Sequence, residues 1–167
     1  MTWTVEALNE GHKLDGLDCG NDDITAWLRH HAHHAVRQGT RTYVAVGSEN
    51  SVVGYFSLAP HLIERNDVTR SLGRGAPRQI PAILLAKLAI DRRTQGRGFG
   101  SELLIVALTT IIEAARAAGG KLVVVDAIDE AAAEFYKRHD FIPVPHNQLR
   151  LVQKLTTIAA VLGVPWP

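Results

Sequence analysis

One cysteine, Cys19, stands in 167 residues, so no internal disulfide can form and the fold must rest on packing and hydrogen bonding. The amino terminus lacks the basic start and apolar run of a secretory signal. The longest apolar tail, residues 158–164, is far too short to span a bilayer. These absences lead us to expect a cytoplasmic protein with no membrane partner. No repeat, low-complexity tract or linker interrupts the chain, so residues 1–167 are expected to form a single domain. Nor is there a large excess of either charge: the formal net charge is +1.

That near-neutrality hides an uneven distribution. Residues 65–97 hold Arg65, Arg70, Arg74, Arg78, Lys87, Arg92, Arg93 and Arg97 against only Asp67 and Asp91. A local basic zone suits a phosphate-rich partner, which responds to local potential rather than to net charge. A solvated arginine-rich loop reads equally well from charge alone.

The apolar pattern predicts alternating strands and helices. Residues 2–8 read as a strand. A helix capped by Asn21 or Asp22 carries Ile24, Trp27, Leu28, His31 and Ala35 at helical spacing and stops at Gly39. Residues 40–46 and 51–59 read as an antiparallel hairpin, and residues 60–80 as an irregular loop. Residues 83–90 are almost continuously apolar, which predicts a central strand buried on both faces. After residues 95–100, a helix presents Leu103, Leu104, Ala107, Leu108, Ile111, Ile112 and Ala115 on one side and ends at Gly119 and Gly120. Residues 122–125 make another buried strand, Asp129 caps a helix to about His139, and strands follow at 141–144 and 149–155. The fold class is α/β with a mixed sheet.

A glycine-rich loop between a buried strand and a helix exposes backbone N–H groups at the positive end of the helix dipole, where a phosphate binds well. The segment Gln95, Gly96, Arg97, Gly98, Phe99, Gly100 lacks the Gly-Lys-Ser/Thr ending of a Walker loop and the spacing of a dinucleotide fingerprint. It either holds a different phosphate ligand or makes a tight turn.

Here the chain resembles the GNAT acetyltransferases, whose cofactor loop runs Arg or Gln, two variable residues, Gly, one variable residue, then Gly or Ala. Gln95, Gly98 and Gly100 match that pattern. The resemblance implies a GNAT fold, a mixed and mostly antiparallel sheet flanked by helices, and acetyl-CoA as co-substrate with no metal. It implies that the backbone amides of Gly96, Arg97, Gly98, Phe99, Gly100 and Ser101 hold the pyrophosphate, and that Leu88, Ala89 and Ile90 pair with the pantetheine arm. It also implies Tyr136 as the acid that protonates the departing thiolate, with the Ala89 N–H near the developing oxyanion. From the residues alone, Tyr136 reads as a core aromatic beside Phe135.

At a finer level the chain is similar to the tRNA-acetylating toxins of type II toxin–antitoxin systems. The matches are Leu17, Asp18, Cys19, Gly20 with Trp27 and Leu28; Thr42, Tyr43, Val44; Gly54, Tyr55, Phe56, Ser57, Leu58; the run from Ile80 to Asp91; and Phe135, Tyr136. His139, Asp140, Phe141 depart from relatives that carry a glycine before the phenylalanine. This resemblance implies N-acetylation of aminoacyl-tRNA, a small DNA-binding antitoxin of ribbon-helix-helix type, and a homodimer. An amine beside an ester titrates below the roughly 7.7–8.0 of a free α-amino group, so it needs little help from a general base. Arg78, Lys87, Arg92 and Arg93 are the expected phosphate contacts, while Arg97 suits CoA or RNA equally. The His30, His31, His33, His34 cluster reads as a polar face more readily than as a metal site, although His30 and His34 stand at i, i+4. Rival activities are acetylation of protein amino termini or small amines, or binding of CoA without catalysis.

Overall fold

The computed structural model describes residues 3–167. The first strand, β1, is Thr4–Ala7; Thr2, in the expected strand, lies outside the described residues. Helix α1, Asp22–His30, is capped by the Asn21 side chain, which accepts from the Ile24 N–H at 3.0 Å. The helix does not run unbroken to Gly39 as expected. His31 leaves helical geometry at φ −125°, a short α2 follows at Ala32–Ala35, and a single 3₁₀ turn leads to Gly39 at φ 94°. Histidine is a weak helix former, and the break lets Ala32 and Ala35 bury while His30, His31 and His34 stay exposed. The i, i+4 relation of His30 and His34 is therefore not that of one regular helix.

Strands β2, Arg41–Val46, and β3, Val52–Glu64, pair antiparallel as expected. Tyr43 stacks on Phe56 at 5.1 Å, and the Thr42 and Ser57 hydroxyls meet at 2.8 Å. Residues 60–80 are not irregular. Strand β3 runs on to Glu64, α3 occupies Arg70–Gly73, and β4 begins at Gln79. Arginine-rich sequence hid this order, because its buried residues are spread singly through it.

Strand β4, Gln79–Ile90, is not buried on both faces throughout. Ala82, Leu85, Ala89 and Ile90 are buried, whereas Ile83, Leu84, Ala86, Lys87 and Leu88 are half-buried. Helix α4, Phe99–Ala118, buries all seven apolar residues of the expected face and stops at Gly119 and Gly120, both at positive φ. It leads to β5, Leu122–Asp126, which runs parallel to β4 with Ala82 opposite Leu122. Asp129 caps α5, Glu130–Arg138, and β6, Ile142–Val144, pairs with β7, Asn147–Lys154. Helix α6, Leu155–Leu162, is an element the sequence reading lacked.

The sheet order is β1-β2-β3-β4-β5-β7-β6, a seven-stranded mixed sheet of the expected α/β class. The chain divides into two compact units, residues 1–59 with 86–107 and residues 60–85 with 108–167. The first has a core that includes Leu17, Leu28, Val44, Val52 and Tyr55. The second packs Val68, Leu72, Ile80, Leu122, Val124 and Val152 together. Among the described residues, no helix is long and apolar enough to cross a membrane.

Candidate active site

In the first unit the glycine loop is braced from beneath. Asp91, whose side chain is 1% exposed, accepts from Arg93 Nε at 2.8 Å, Arg93 Nη2 at 2.9 Å, the Arg93 N–H at 2.9 Å and the Asp18 N–H at 3.2 Å. These bonds from Arg93 hold its carboxyl below the usual carboxylate range. Arg93 Nη2 also donates to the Gly16 carbonyl at 3.2 Å. Gln95 donates its side-chain amide to the carbonyls of Cys19 at 2.9 Å and Ile90 at 3.0 Å. The glutamine of the loop motif thus positions the loop through its side chain.

Beyond that brace, Gly96 and Gly98 take φ of 81° and 82°, which L side chains rarely adopt, and a Cβ at either would meet no protein atom within 4 Å. Both therefore leave open space above the backbone just before α4 starts at Phe99. The Glu102 N–H donates to the Gly98 carbonyl at 3.1 Å, joining the loop to the helix. Gly54 serves β4 differently: a Cβ there would stand 2.9 Å from the Ala89 carbonyl oxygen. Its lack of a side chain lets β3 approach the strand that ends at the loop. Leu88 is half-buried, while Ala89 and Ile90 are buried, so any contact from the latter two to a ligand would be chiefly through backbone.

The expected phosphate contacts differ in freedom. Lys87 Nζ sits 5.4 Å from the Trp27 ring centroid, above a ring that stacks on Tyr55. Together with Ala86, His31, His34 and Gln38 they line a groove of about 450 Å³. Arg92 pairs loosely with Asp18 at 3.4 Å, both partners well exposed. The Arg93 side chain is mostly exposed, yet its guanidinium is committed to Asp91, a structural duty the sequence reading did not assign. Arg97 is exposed. Cys19 is a packed small residue, its Sγ 3.0 Å from the Thr25 hydroxyl.

In the second unit, Tyr136 is buried, its ring edge-on to Phe135 at 5.3 Å and to Phe141 at 5.6 Å. Burial pushes the phenol above its ordinary value, so the hydroxyl keeps its proton at every working pH. It makes no hydrogen bond among the described residues. The turn that follows survives the missing glycine, since Asp140 itself takes φ 69° and the Phe141 N–H donates to the Tyr136 carbonyl at 3.1 Å. Arg78 is exposed and unpaired with any carboxylate among the described residues.

Sequence reasoning missed a cluster in the same unit. Arg150 forks onto Asp126 at 2.7 and 2.9 Å and meets His61 Nε2 at 3.2 Å. Arginine can only donate, so His61 accepts and is neutral there; burial first, then Arg150, lowers its pKa. Only the 89-residue separation of His61 and Arg150 hid this contact. Among the described residues, no group of three or more His, Cys, Asp or Glu side chains could hold a metal ion.

Residues 38–143 match the model of the acetyltransferase (GNAT) domain. The chain belongs to the GNAT acetyltransferase family. Among its GNAT relatives, the tRNA-acetylating toxin of Mycobacterium tuberculosis (strain ATCC 25618 / H37Rv) is 31% identical over 157 residues, covering 93% of this chain and 94% of the relative. The solved structure of AtaT complexed with acetyl-methionyl-tRNAfMet is 29% identical with a TM-score of 0.87, over 96% of this chain and 99% of that one. A mutant AtaT toxin bound to the C-terminus of the antitoxin AtaR and acetyl-CoA is 30% identical with a TM-score of 0.81, over 96% and 98%.

Proposed function

We propose that this protein is an acetyl-CoA-dependent N-acetyltransferase of aminoacyl-tRNA, acting in the cytoplasm as the translation-blocking toxin of a toxin–antitoxin pair. The observation that carries this reading is the match over 93% of the chain to a tRNA-acetylating toxin. The open backbone at Gly96 and Gly98 and the half-buried stretch of β4 support it, because both suit an extended phosphate-bearing ligand. Residues 1–167 act as one GNAT domain, as a homodimer, with a small ribbon-helix-helix antitoxin as partner.

Acetyl-CoA lies along Leu88, Ala89 and Ile90, and its pyrophosphate meets the amides of Gly96, Arg97, Gly98, Phe99, Gly100 and Ser101, which Gln95 holds in place. The neutral amine of the aminoacyl ester attacks the thioester carbonyl. A C–N bond forms and the C–S bond breaks; Tyr136 gives its proton to the CoA thiolate, and the proton released by the amine passes through solvent to restore the phenol, so that one proton moves from nitrogen to sulfur overall. Burial keeps Tyr136 protonated, so it holds a proton to donate as the thiolate leaves. Arg78, Lys87 and Arg92 contact tRNA phosphates; Arg93 contributes chiefly by holding the loop.

Tyr136→Phe tests the acid. It removes the hydroxyl and keeps the ring, so turnover on charged tRNA should fall by roughly 10² to 10⁴ while acetyl-CoA affinity and Tm hold. Acetylated aminoacyl nucleosides, identified by mass spectrometry after incubation with bulk charged tRNA and acetyl-CoA, give the substrate. Their absence would overturn the reading.

A further inference from the structure

The connection between β3 and β4 carries Arg65, Arg70, Arg74 and Arg78 against one carboxylate, Asp67. Val68, Leu72 and Ala76 are buried, and the arginines at 70, 74 and 78, each offset by two residues, are exposed. The segment is therefore a platform with an apolar underside and a cationic upper face. It is also pinned. The Arg65 N–H donates to the Arg78 carbonyl at 2.8 Å, Thr69 caps α3, and the Ala76 N–H returns to the Gly73 carbonyl at 3.0 Å. Arg65 Nη1 donates to the Ala76 carbonyl at 3.1 Å. A Cβ on Gly73 would stand 3.0 Å from Arg65 Cγ, so glycine is what lets α3 lie against the arginine stem.

Arg65, Asn66, Thr69, Arg70 and Arg74 line a concavity of about 650 Å³. Among the described residues, none of these arginines forms an ion pair with a carboxylate. Unpaired guanidiniums on an ordered surface keep their full field and their paired donors, which fit the oxygens of a phosphate. The lining offers arginine, asparagine, threonine and glycine, with Val68, itself buried, as its one large apolar residue. A protein partner is held at the centre of its interface by apolar and aromatic contact, whereas a nucleic-acid backbone is held by cations and small polar groups. Several exposed cations also suit a repeating row of phosphates better than a single one.

We propose that the 65–78 segment is a cradle for the sugar-phosphate backbone of the substrate RNA, with Arg70 and Arg74 as its principal phosphate contacts and Arg65 as its anchored member. This rests on the charged-tRNA reading and adds a binding surface to it. The cradle contacts backbone and carries no choice of base or amino acid.

The test compares the wild-type protein with Arg70→Gln/Arg74→Gln, both exposed positions, and with Arg70→Lys/Arg74→Lys. Binding of bulk deacylated tRNA is followed by fluorescence anisotropy from about 50 to 200 mM salt, the range over which phosphate contacts change affinity most visibly. The glutamine pair should lower the slope of log affinity against log salt by about 2, one per lost contact, and the lysine pair should restore most of it. On charged tRNA the glutamine pair should lower kcat/KM with acetyl-CoA affinity unchanged. An unchanged salt slope with normal Tm overturns the cradle, as does loss of poly-glutamate binding with tRNA binding intact, which would assign the surface to an acidic protein. If the wild-type protein acetylates no charged tRNA, the acetyl-transfer reading fails, and the deacylated-tRNA slope still decides the cradle in either direction.

Discussion

The loop entering β4 and the loop leaving it are both rich in arginine, yet the structure treats them oppositely. Leaving β4, Arg93 is clasped to buried Asp91 and Arg92 leans toward Asp18. Entering it, Arg65, Arg70, Arg74 and Arg78 have no carboxylate within ion-pair distance among the described residues. Counting charges along the sequence cannot separate the two. A paired guanidinium organises backbone, whereas an unpaired one projects a field. The leaving loop is thus built for shape, with its positive-φ glycines set by a clasp, and the entering loop is built for charge.

Breaking the clasp should have the largest effect. Asp91→Ala orphans the donors of Asp18 and Arg93, and should cost about 2–4 kcal/mol, less than a fully buried pair because the Arg93 side chain is mostly exposed. For a chain of this size that is a Tm drop of roughly 5–15 °C, measured by calorimetry. Because its folded pKa is depressed, Asp91 contributes stability that is present above the ordinary carboxylate value and lost as pH falls through the folded one. Urea midpoints should therefore fall more steeply below about pH 4 for the wild-type protein than for Asp91→Asn. A parallel decline would show that the clasp is not the acid-sensitive element.

Gly98→Val should come next. The φ of 82° imposes strain of about 1–2 kcal/mol on any β-branched residue, and the new side chain would fill space kept open above the loop. Acetyl-CoA affinity should fall roughly tenfold or more by titration calorimetry. Undiminished affinity in a folded variant would remove the loop from the binding site.

Arg92→Gln should be the mildest. Its ion pair is exposed and long, so stability should move by no more than about 0.5 kcal/mol, while one lost phosphate contact lowers the salt slope of tRNA binding by about 1. A large Tm loss would place Arg92 with Arg93 on the structural side of the comparison.

Local signals made much of the fold legible. The seven apolar positions of α4, the Asn21 and Asp129 caps, the hairpin of β2 and β3, and the glycines after α4 all follow from spacing and backbone conformation within a few residues. The glycine loop was legible for the same reason, since Gly96 and Gly98 occupy a conformation that other residues avoid. Segment 60–80 was misread because, beyond Leu62 and Ile63, its apolar residues are scattered between arginines. Its order comes from Val68, Leu72 and Ala76 reaching a core shared with Leu122 and Val152. The helix break at His31 was missed because the apolar spacing continues through a residue that leaves helical geometry.

The sequence by itself determined the α/β order of elements, the family, the flexible backbone of the loop and the excess of arginine around β4. Those depend on residue type and near-neighbour spacing. Tertiary structure decided the rest of the arginine pairing: Arg93 finds Asp91 only two residues away, whereas Arg92 meets Asp18 and Arg150 meets His61, across 89 residues, only because the fold brings them together. It also decided that Tyr136 is buried between Phe135 and Phe141 with its proton retained, since burial is a property of the packed chain and not of a residue.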